Sequence, residues 1–320
     1  ETAWNHSQVL VGLEHYGEAW VLSEERLAVG HFEYYRPGPY WQSWAGKPKQ
    51  PITIWSEQGF GDTFQFLRWL IRLGDRPVRL EVERPLVALL EEGLRWLPRP
   101  PEVVAKPTTP APVACHGSLM SLPHLLGGGT LTGEAFAAGP YLRLPSTSQP
   151  VQPGRRIGVV WAAGRKLDDA FTAREYRKRS LPAEALEQLL RGLHQHGFGP
   201  VNLQVGPDRD ELAPALAELF VDVLPPDADF LAAGQLIQQL EAVVSVDTAM
   251  AHQAGAQGVL CHTLLPWSAD PRWLRERSDS PWYPSLRLWR QGPDRQWAPA
   301  IDQLLEQLRT IPPSDPGAWG

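Results

Sequence analysis

The feature that most constrains this chain is a pattern that occurs twice. Short apolar runs of four or five residues alternate with longer amphipathic stretches. The first series begins at Ile52. ITIW reads as a strand, GDTFQFLRWLIRL as a helix, VRLEV as a strand and PLVALLEEGL as a helix, with PVAC and YLRL as further short strands. The second begins at RIGVVWA and continues with a helix over 182–195, strand VNLQV, a helix over 209–219 and strand FVDVL. A helix over 230–240, strand AVVSV, helix TAMAHQAGA and strand VLCHTLL complete it. Strands separated by helices pair in parallel through right-handed crossovers. Two such series predict an α/β chain with two Rossmann-like domains facing one cleft.

Punctuation sets the boundaries. Residues 98–112 are rich in proline, and PSTSQPVQPG (145–154) reads as a linker. Residues 1–35 read as helix with an apolar face that includes Leu10, Leu13, Tyr16 and Trp20. The stretch YGEAWVLSEERL resembles the last helix pair of a tetratricopeptide array. A single pair cannot bury both faces, so either upstream repeats are missing or the pair docks on the next domain. The expected divisions are a helical segment over 1–46, a first Rossmann-like domain over 47–147 and a second over 155–296. A final helix from about 297 to 308 and a loose tail fill 297–320. Because the chain begins at Glu1 rather than Met, it reads as processed or as a piece of something longer.

Composition excludes several functions. The net charge of −6 repels a phosphate backbone, so nucleic acid is a poor partner. Two cysteines, Cys115 and Cys261, give neither a zinc site nor a disulfide framework, and a reducing cytoplasm is the simplest compartment. No apolar stretch approaches the roughly 20 residues of a membrane span, and no signal peptide is legible.

The sharpest motif is SVDTAMAHQAG (245–255). A buried strand ends at Asp247 and a helix opens at Thr248, presenting unpaired N–H groups and a partial positive charge suited to a diphosphate. His252 shares the face of Thr248. The plainer account makes Asp247 an ordinary N-cap and His252 a packed residue. DTAMAHQAGA resembles the donor-site signature of the heptosyltransferase-like GT-B glycosyltransferases, and more closely that of bacterial tetratricopeptide-linked relatives. The resemblance implies that Asp247, Thr248, Ala249 and His252 hold the donor pyrophosphate.

The second motif is WSEQGFGDTFQFLRWL (55–70), a strand, a loop with Gly59 and Gly61, and a helix opening at Asp62. It is similar to the family's EQGxGDxxxFxR segment, in which the aspartate is the catalytic base. That resemblance makes Asp62 the base, with Glu57, Gln58, Gly59, Gly61 and Arg68 on the acceptor side. The alternative is an Asp62 N-cap and an Arg68 paired with a carboxylate.

A third region joins WAAGRK (161–166) to the basic run REYRKRS (174–180). The family has a WxGNP-like loop and an RS dipeptide here. This chain keeps Trp161, Gly164, Arg179 and Ser180 and replaces Asn-Pro with Arg165 and Lys166. Cationic groups there suit the donor phosphates, as against a solvated charged loop. Gln204 ends a strand and is a further nucleotide contact, or only a polar strand end. Asp227 and Asp229 imitate a metal-binding DxD, but two carboxylates are few for Mg²⁺ or Mn²⁺, and Asp229 reads as a helix cap. Trp273, Trp282 and Tyr283 in a segment similar to the family's dWRW…SPWYP, together with His116 and Ser118, are minor candidates.

The resemblance implies an inverting, metal-independent GT-B glycosyltransferase of the hexosyl or heptosyl type, with the acceptor on the first Rossmann-like domain, the nucleotide sugar on the second, and the last helix crossing back to the first domain. It takes a sugar from a nucleotide diphosphate donor without a cofactor, and repeat-linked relatives point to a protein acceptor by analogy. The rivals are a nucleotide-sugar epimerase of the same fold and a non-catalytic binding module.

Overall fold

The computed structural model describes residues 2–28, 37–41, 50–127, 139–145, 154–165 and 167–310. Lys166, most of the expected linker and the tail 311–320 lie outside them. The chain opens with a helical hairpin, α1 (Thr2–Gly12) and α2 (Tyr16–Ser23), ending in a 3-10 turn, Glu24–Ala28. It is not one helix: Glu14 takes φ 61° in the turn between the two. The hairpin docks on the rest of the molecule, with Tyr16 and Trp20 edge-on to Trp282, both at ring distances near 6 Å.

The first sheet holds β1 (Ile52–Trp55), β2 (Val78–Val82), β3 (Glu102–Ala105) and β4 (His116–Ser118), all parallel in the order β3-β2-β1-β4. Every β1 residue is buried, as a central parallel strand requires. Helix α3 (Phe60–Phe66) follows β1 and tightens into a 3-10 stretch over Leu67–Leu73; α4 (Val87–Gly93) follows β2. Two short strands differ from expectation. PVAC is not extended into the ladder, which starts at His116, and YLRL is irregular, tied by the Tyr141 and Leu142 N–H groups to the Ala256 carbonyl. β3 lies inside the proline-rich stretch, tolerated because it is an edge.

After α5 (Leu122–Leu125) the second sheet begins at β5 (Arg155–Val160). Next come α6 (Ala170–Arg179), α7 (Ala183–Gln195), β6 (Phe198–Asn202), two single turns α8 (Pro207–Asp210) and α9 (Pro214–Ala217), and β7 (Asp222–Val223). The chain continues through α10 (Phe230–Ile237), β8 (Ala242–Val246), α11 (Ala249–Gln257), β9 (Cys261–Leu265), β10 (Leu286–Arg290) and α12 (Ala298–Arg309). All six strands are parallel, ordered β10-β9-β8-β5-β6-β7.

The helix expected over 209–219 is broken into two turns, because Pro214 cannot continue the first. The basic run is a helix rather than a loop, since Asp169 caps it through bonds from the Phe171 and Thr172 N–H groups. The last helix does not cross back to the first sheet. Ile301, Leu304 and Leu305 of α12 bury against α7 and the second sheet, where Gly192 of α7 leaves room for Leu305.

An apolar cluster runs from the hairpin through the first sheet to one face of the second, and another covers the opposite face beneath α7 and α12. Strand order fixes where ligands can enter. In the second sheet the chain builds outward from β5 to β7, then restarts on the other side with β8. The switch point therefore lies between the C-terminal ends of β5 and β8. In the first sheet it lies between β1 and β4.

Candidate functional site

At the second switch point, β8 delivers Asp247 and Thr248 to the start of α11. Thr248 is the N-cap, in extended conformation, yet its hydroxyl caps nothing. It bonds the Ser245 hydroxyl at 3.0 Å, and Ser245 spends its own hydrogen on the Val246 carbonyl at 2.7 Å. No acidic residue occupies the first turn of α11, so the end-on positive field and the N–H groups of that turn are not answered from within the helix. Arg179, the last residue of α6, reaches the same mouth and donates to the Asp247 carbonyl at 3.3 Å. Gly164 faces open space: nothing lies within 4 Å of where a Cβ would stand.

Two neighbours serve the loop itself. Gln204 Oε1 accepts from the Trp161 and Ala162 N–H groups at 3.1 and 2.9 Å, and its Nε2 donates to the Ala162 and Val205 carbonyls. The Ser180 hydroxyl accepts from the Ala163 N–H at 3.1 Å and donates to the Tyr176 carbonyl at 2.8 Å. Both side chains staple the β5 exit into shape. Trp161 is buried against Phe220. Asp229 caps α10 through the Ala232 N–H at 2.9 Å, as its spacing implies.

At the first switch point, Gly59 is the N-cap of α3 and Asp62 stands at the third helical position. Asp62 Oδ2 accepts the Gly59 N–H at 3.0 Å, so the helix answers its own N-terminus. Glu57 lies in a different environment. It is buried and takes both arms of Arg26, at 2.6 and 3.1 Å, and also meets the Ser118 hydroxyl. Arg68 is buried among the rings of Tyr141, Trp282 and Tyr283, with centroids 4.9–5.5 Å away. Gln58, at φ 62°, projects from the loop. His116 accepts the Trp55 indole N–H at 3.2 Å and lies inside the fold.

The two helix starts touch. A Cβ on Gly61 would stand 2.8 Å from His252 Cδ2, so glycine there lets α3 approach a histidine ring rather than a ligand. His252 is buried, with Nδ1 2.8 Å from the Tyr283 hydroxyl and its ring against Trp273. Burial, reinforced by nearby Arg272, holds its pKa well below the usual imidazole range, so it is neutral.

Arg272, carried by the turn Asp270–Leu274, adds an ion pair between the halves. Its Nη1 lies 2.8 Å from Asp62 Oδ1 and 2.7 Å from Gln65 Oε1, while its Nε donates to Asp270 at 3.0 Å. Burial disfavours its charge, but the carboxylates of Asp270, Asp62 and Asp247 lift its pKa well above the ordinary value. Asp247 is raised instead: burial and the charge of Asp270 outweigh Arg179 and Arg272. The arginine turn is strained. Leu274 takes φ 55°, a conformation leucine rarely adopts, and the turn is held by the Trp282 indole N–H on the Arg272 carbonyl at 2.8 Å. Gly12 of α1 packs on Pro271 from outside.

Above Arg272 and Asp62 a cavity of about 270 Å³ opens beneath the N-terminal hairpin. Trp4, Gln8 and Trp20 line it from the hairpin, and Gln58, Asp62 and Gln65 from the first sheet's loop and helix. Sequence reasoning missed Arg272, Asp270 and Gln65. Gln65 lies one turn after Asp62 and shares its face, a spacing that was legible. Arg272 lies 210 positions from Asp62; its segment resembles the family's dWRW, but nothing local points from it to Asp62. Among the described residues no cluster of three or more His, Cys, Asp or Glu can hold a metal ion. No described helix is long and apolar enough to cross a membrane.

Residues 170–264, from α6 to β9, match the model of glycosyltransferase family 9 (heptosyltransferase). Protein FlbA of Caulobacter vibrioides is 28% identical over an alignment that covers 94% of this chain and 54% of that protein. The chain thus spans about half the length of that relative. The E. coli heptosyltransferase WaaC with ADP superposes with a TM-score of 0.55 at 14% identity, covering 80% of this chain and 99% of that one. The glycosyl transferase family 9 structure from Veillonella parvula gives 0.52 at 12% identity, covering 85% and 91%. At such identities these structures report the fold: parallel α/β sheets like those of heptosyltransferases. The family match together with that fold supports a glycosyltransferase.

Proposed function

We propose that the chain transfers a sugar, with inversion and without a metal ion, from a nucleotide diphosphate donor to a hydroxyl acceptor. The observation that carries this is the unanswered start of α11 at a topological switch point, with Arg179 beside it. In this reading the diphosphate lies across the N–H groups of Ala249 and its neighbour, Arg179 faces a phosphate oxygen, and Gly164 leaves room for the donor. Asp247, Trp161, Ser180, Gln204 and His252 shape this mouth from behind. The acceptor meets Asp62.

In the transfer step the bond between the anomeric carbon and the terminal phosphate oxygen breaks, and its electron pair stays on the phosphate. The acceptor oxygen bonds the anomeric carbon from the opposite face, and its proton passes to Asp62. The helix field and Arg179 stabilise the departing diphosphate. Glu57 and Arg68 act in support: the first anchors the loop through Arg26, the second packs the seam. An N-terminal segment, an acceptor-side domain and a donor-side domain remain our division of the chain.

WaaC was solved with ADP, so ADP is the first nucleotide to try. A thermal-shift panel of ADP, GDP, UDP, dTDP and CMP tests the reading. A ligand at about 100 times its Kd stabilises by roughly 2.7 kcal/mol. One nucleotide is expected to raise Tm, with transfer from its sugar conjugate persisting in EDTA. A flat response to all five nucleotides would refute the donor site.

A further inference from the structure

Gln65 stands beside Asp62 on the floor of the cavity under the hairpin. Its orientation follows from chemistry. Arg272 Nη1, which can only donate, lies 2.7 Å from the Gln65 amide and must face its oxygen. The amide nitrogen therefore points away from Arg272, and Gln65 donates no hydrogen bond among the described residues. Asp62 offers the complement. Its Oδ2 is taken by Gly59, but Oδ1 has no directed hydrogen bond, only the ion-pair approach of Arg272. Asp62 Oδ1 is buried against Arg272, but the Asp62 side chain lines the same cavity one helical turn before Gln65. An unused amide donor and a carboxylate thus stand side by side, the two kinds of partner that one hydroxyl group needs.

The lining also defines charge. Arg26 is saturated by Glu57 and Glu24, and Arg272 by Asp62 and Asp270. An anionic ligand would find no spare cation among the described lining residues, and two carboxylates would oppose it. The rest of the lining is uncharged, and Trp4, Trp20, Trp282 and Gln8 give it aromatic and amide surface.

Resting on the transfer reading above, we infer that this cavity binds an uncharged, hydroxyl-bearing acceptor. The Gln65 amide nitrogen holds the hydroxyl oxygen, Asp62 faces its proton, and the α1–α2 hairpin forms the roof that selects it. The hairpin is then a working wall of the acceptor site.

The test uses the full chain with hexose and heptose conjugates of the nucleotide that the panel selects. Acceptor probes come in pairs matched except for charge: methyl glucoside with its uronate, and a blocked serine amide with its free acid. The neutral member of at least one pair is expected to be glycosylated at least about tenfold more efficiently than its acidic partner. The pair that responds tells a sugar hydroxyl from a side-chain hydroxyl. Gln65→Glu keeps an oxygen for Arg272 but loses the N–H donor, so it should raise the acceptor KM about tenfold with nucleotide Kd unchanged. Gln8→Trp fills the roof and should lower acceptor kcat/KM while nucleotide Kd stays as it was. Preference for the acidic probes, no use of either neutral probe, or an unaltered acceptor KM in both variants overturns the cavity while leaving the donor site standing. A chain that binds no nucleotide overturns the transfer reading and the acceptor proposal with it.

Discussion

The helices α3 and α11 begin at equivalent places, each directly after a buried parallel strand and each beside its sheet's switch point. Their first turns differ in one respect. In α3 the carboxylate of Asp62 folds back on the Gly59 N–H, cancelling the positive end of the helix with a group of the same chain. In α11 no acid is present and the cap hydroxyl is turned toward Ser245, so the helix end stays electropositive and Arg179 adds to it. In the function we propose, one local geometry thus serves a base in one sheet and an anion in the other. Which it serves depends on whether a carboxylate occupies the first turn.

Several changes can break or sharpen this contrast. The largest effect is expected at Asp62. Asp62→Asn retains an oxygen for the Gly59 N–H but cannot take a proton, so the transfer rate should fall about 10²–10⁴-fold with nucleotide affinity unaltered. Single-turnover rates beside nucleotide Kd values decide it; transfer at the wild-type rate would leave Asp62 as a cap alone.

Next is Glu57, the neighbouring carboxylate that the sequence places on the same side. Glu57→Gln leaves the buried Arg26 with Glu24 as its carboxylate partner and should cost about 1.5–3 kcal/mol of stability, read from the denaturation midpoint. A stable protein with a crippled rate would reverse the roles assigned to the two acids.

Arg179→Ala removes the side chain that supplements the α11 field. Loss of one charged hydrogen bond, about 1.5–3 kcal/mol, predicts at least tenfold weaker nucleotide diphosphate binding by calorimetry and no change in folding. Equal affinity would move the diphosphate away from this helix.

The smallest effect concerns the contact between the helix starts. Gly61→Ala forces a methyl group against His252 and should cost about 1–3 kcal/mol, whereas Gly164→Ala meets open space and should leave Tm unaltered. Matching Tm values for the two variants would mean that α3 and α11 do not press together in solution.

Much of this architecture was legible before any coordinates. Period-two and period-3.6 apolar patterns are local, and β1, β2, β5, β8 and β9 follow from them, as do α3, α4, α7, α10 and α11. Weak edges escaped: β3 is half-exposed and flanked by prolines, and β10 hides in a tryptophan-rich segment. The strand–turn–helix motifs marked the helix starts at Asp62 and Thr248, because capping chemistry acts within one turn of chain, whereas Arg179 was suggested by the family resemblance of its RS dipeptide.

The sequence by itself determined the elements, their parallel pairing and the two helix starts where charge can be placed. Only the tertiary structure decided that Gln204, Ser180, His252 and Glu57 spend their polar groups inside the protein. It also decided that α12 stays with the second sheet, and that Arg272 reaches across to Asp62 beneath the hairpin. The physical reason is that hydrogen-bond capacity is finite and side-chain partners are chosen by proximity in space. A residue's chemistry is written in its name, but whether that chemistry remains unspent depends on neighbours as far as 210 positions away.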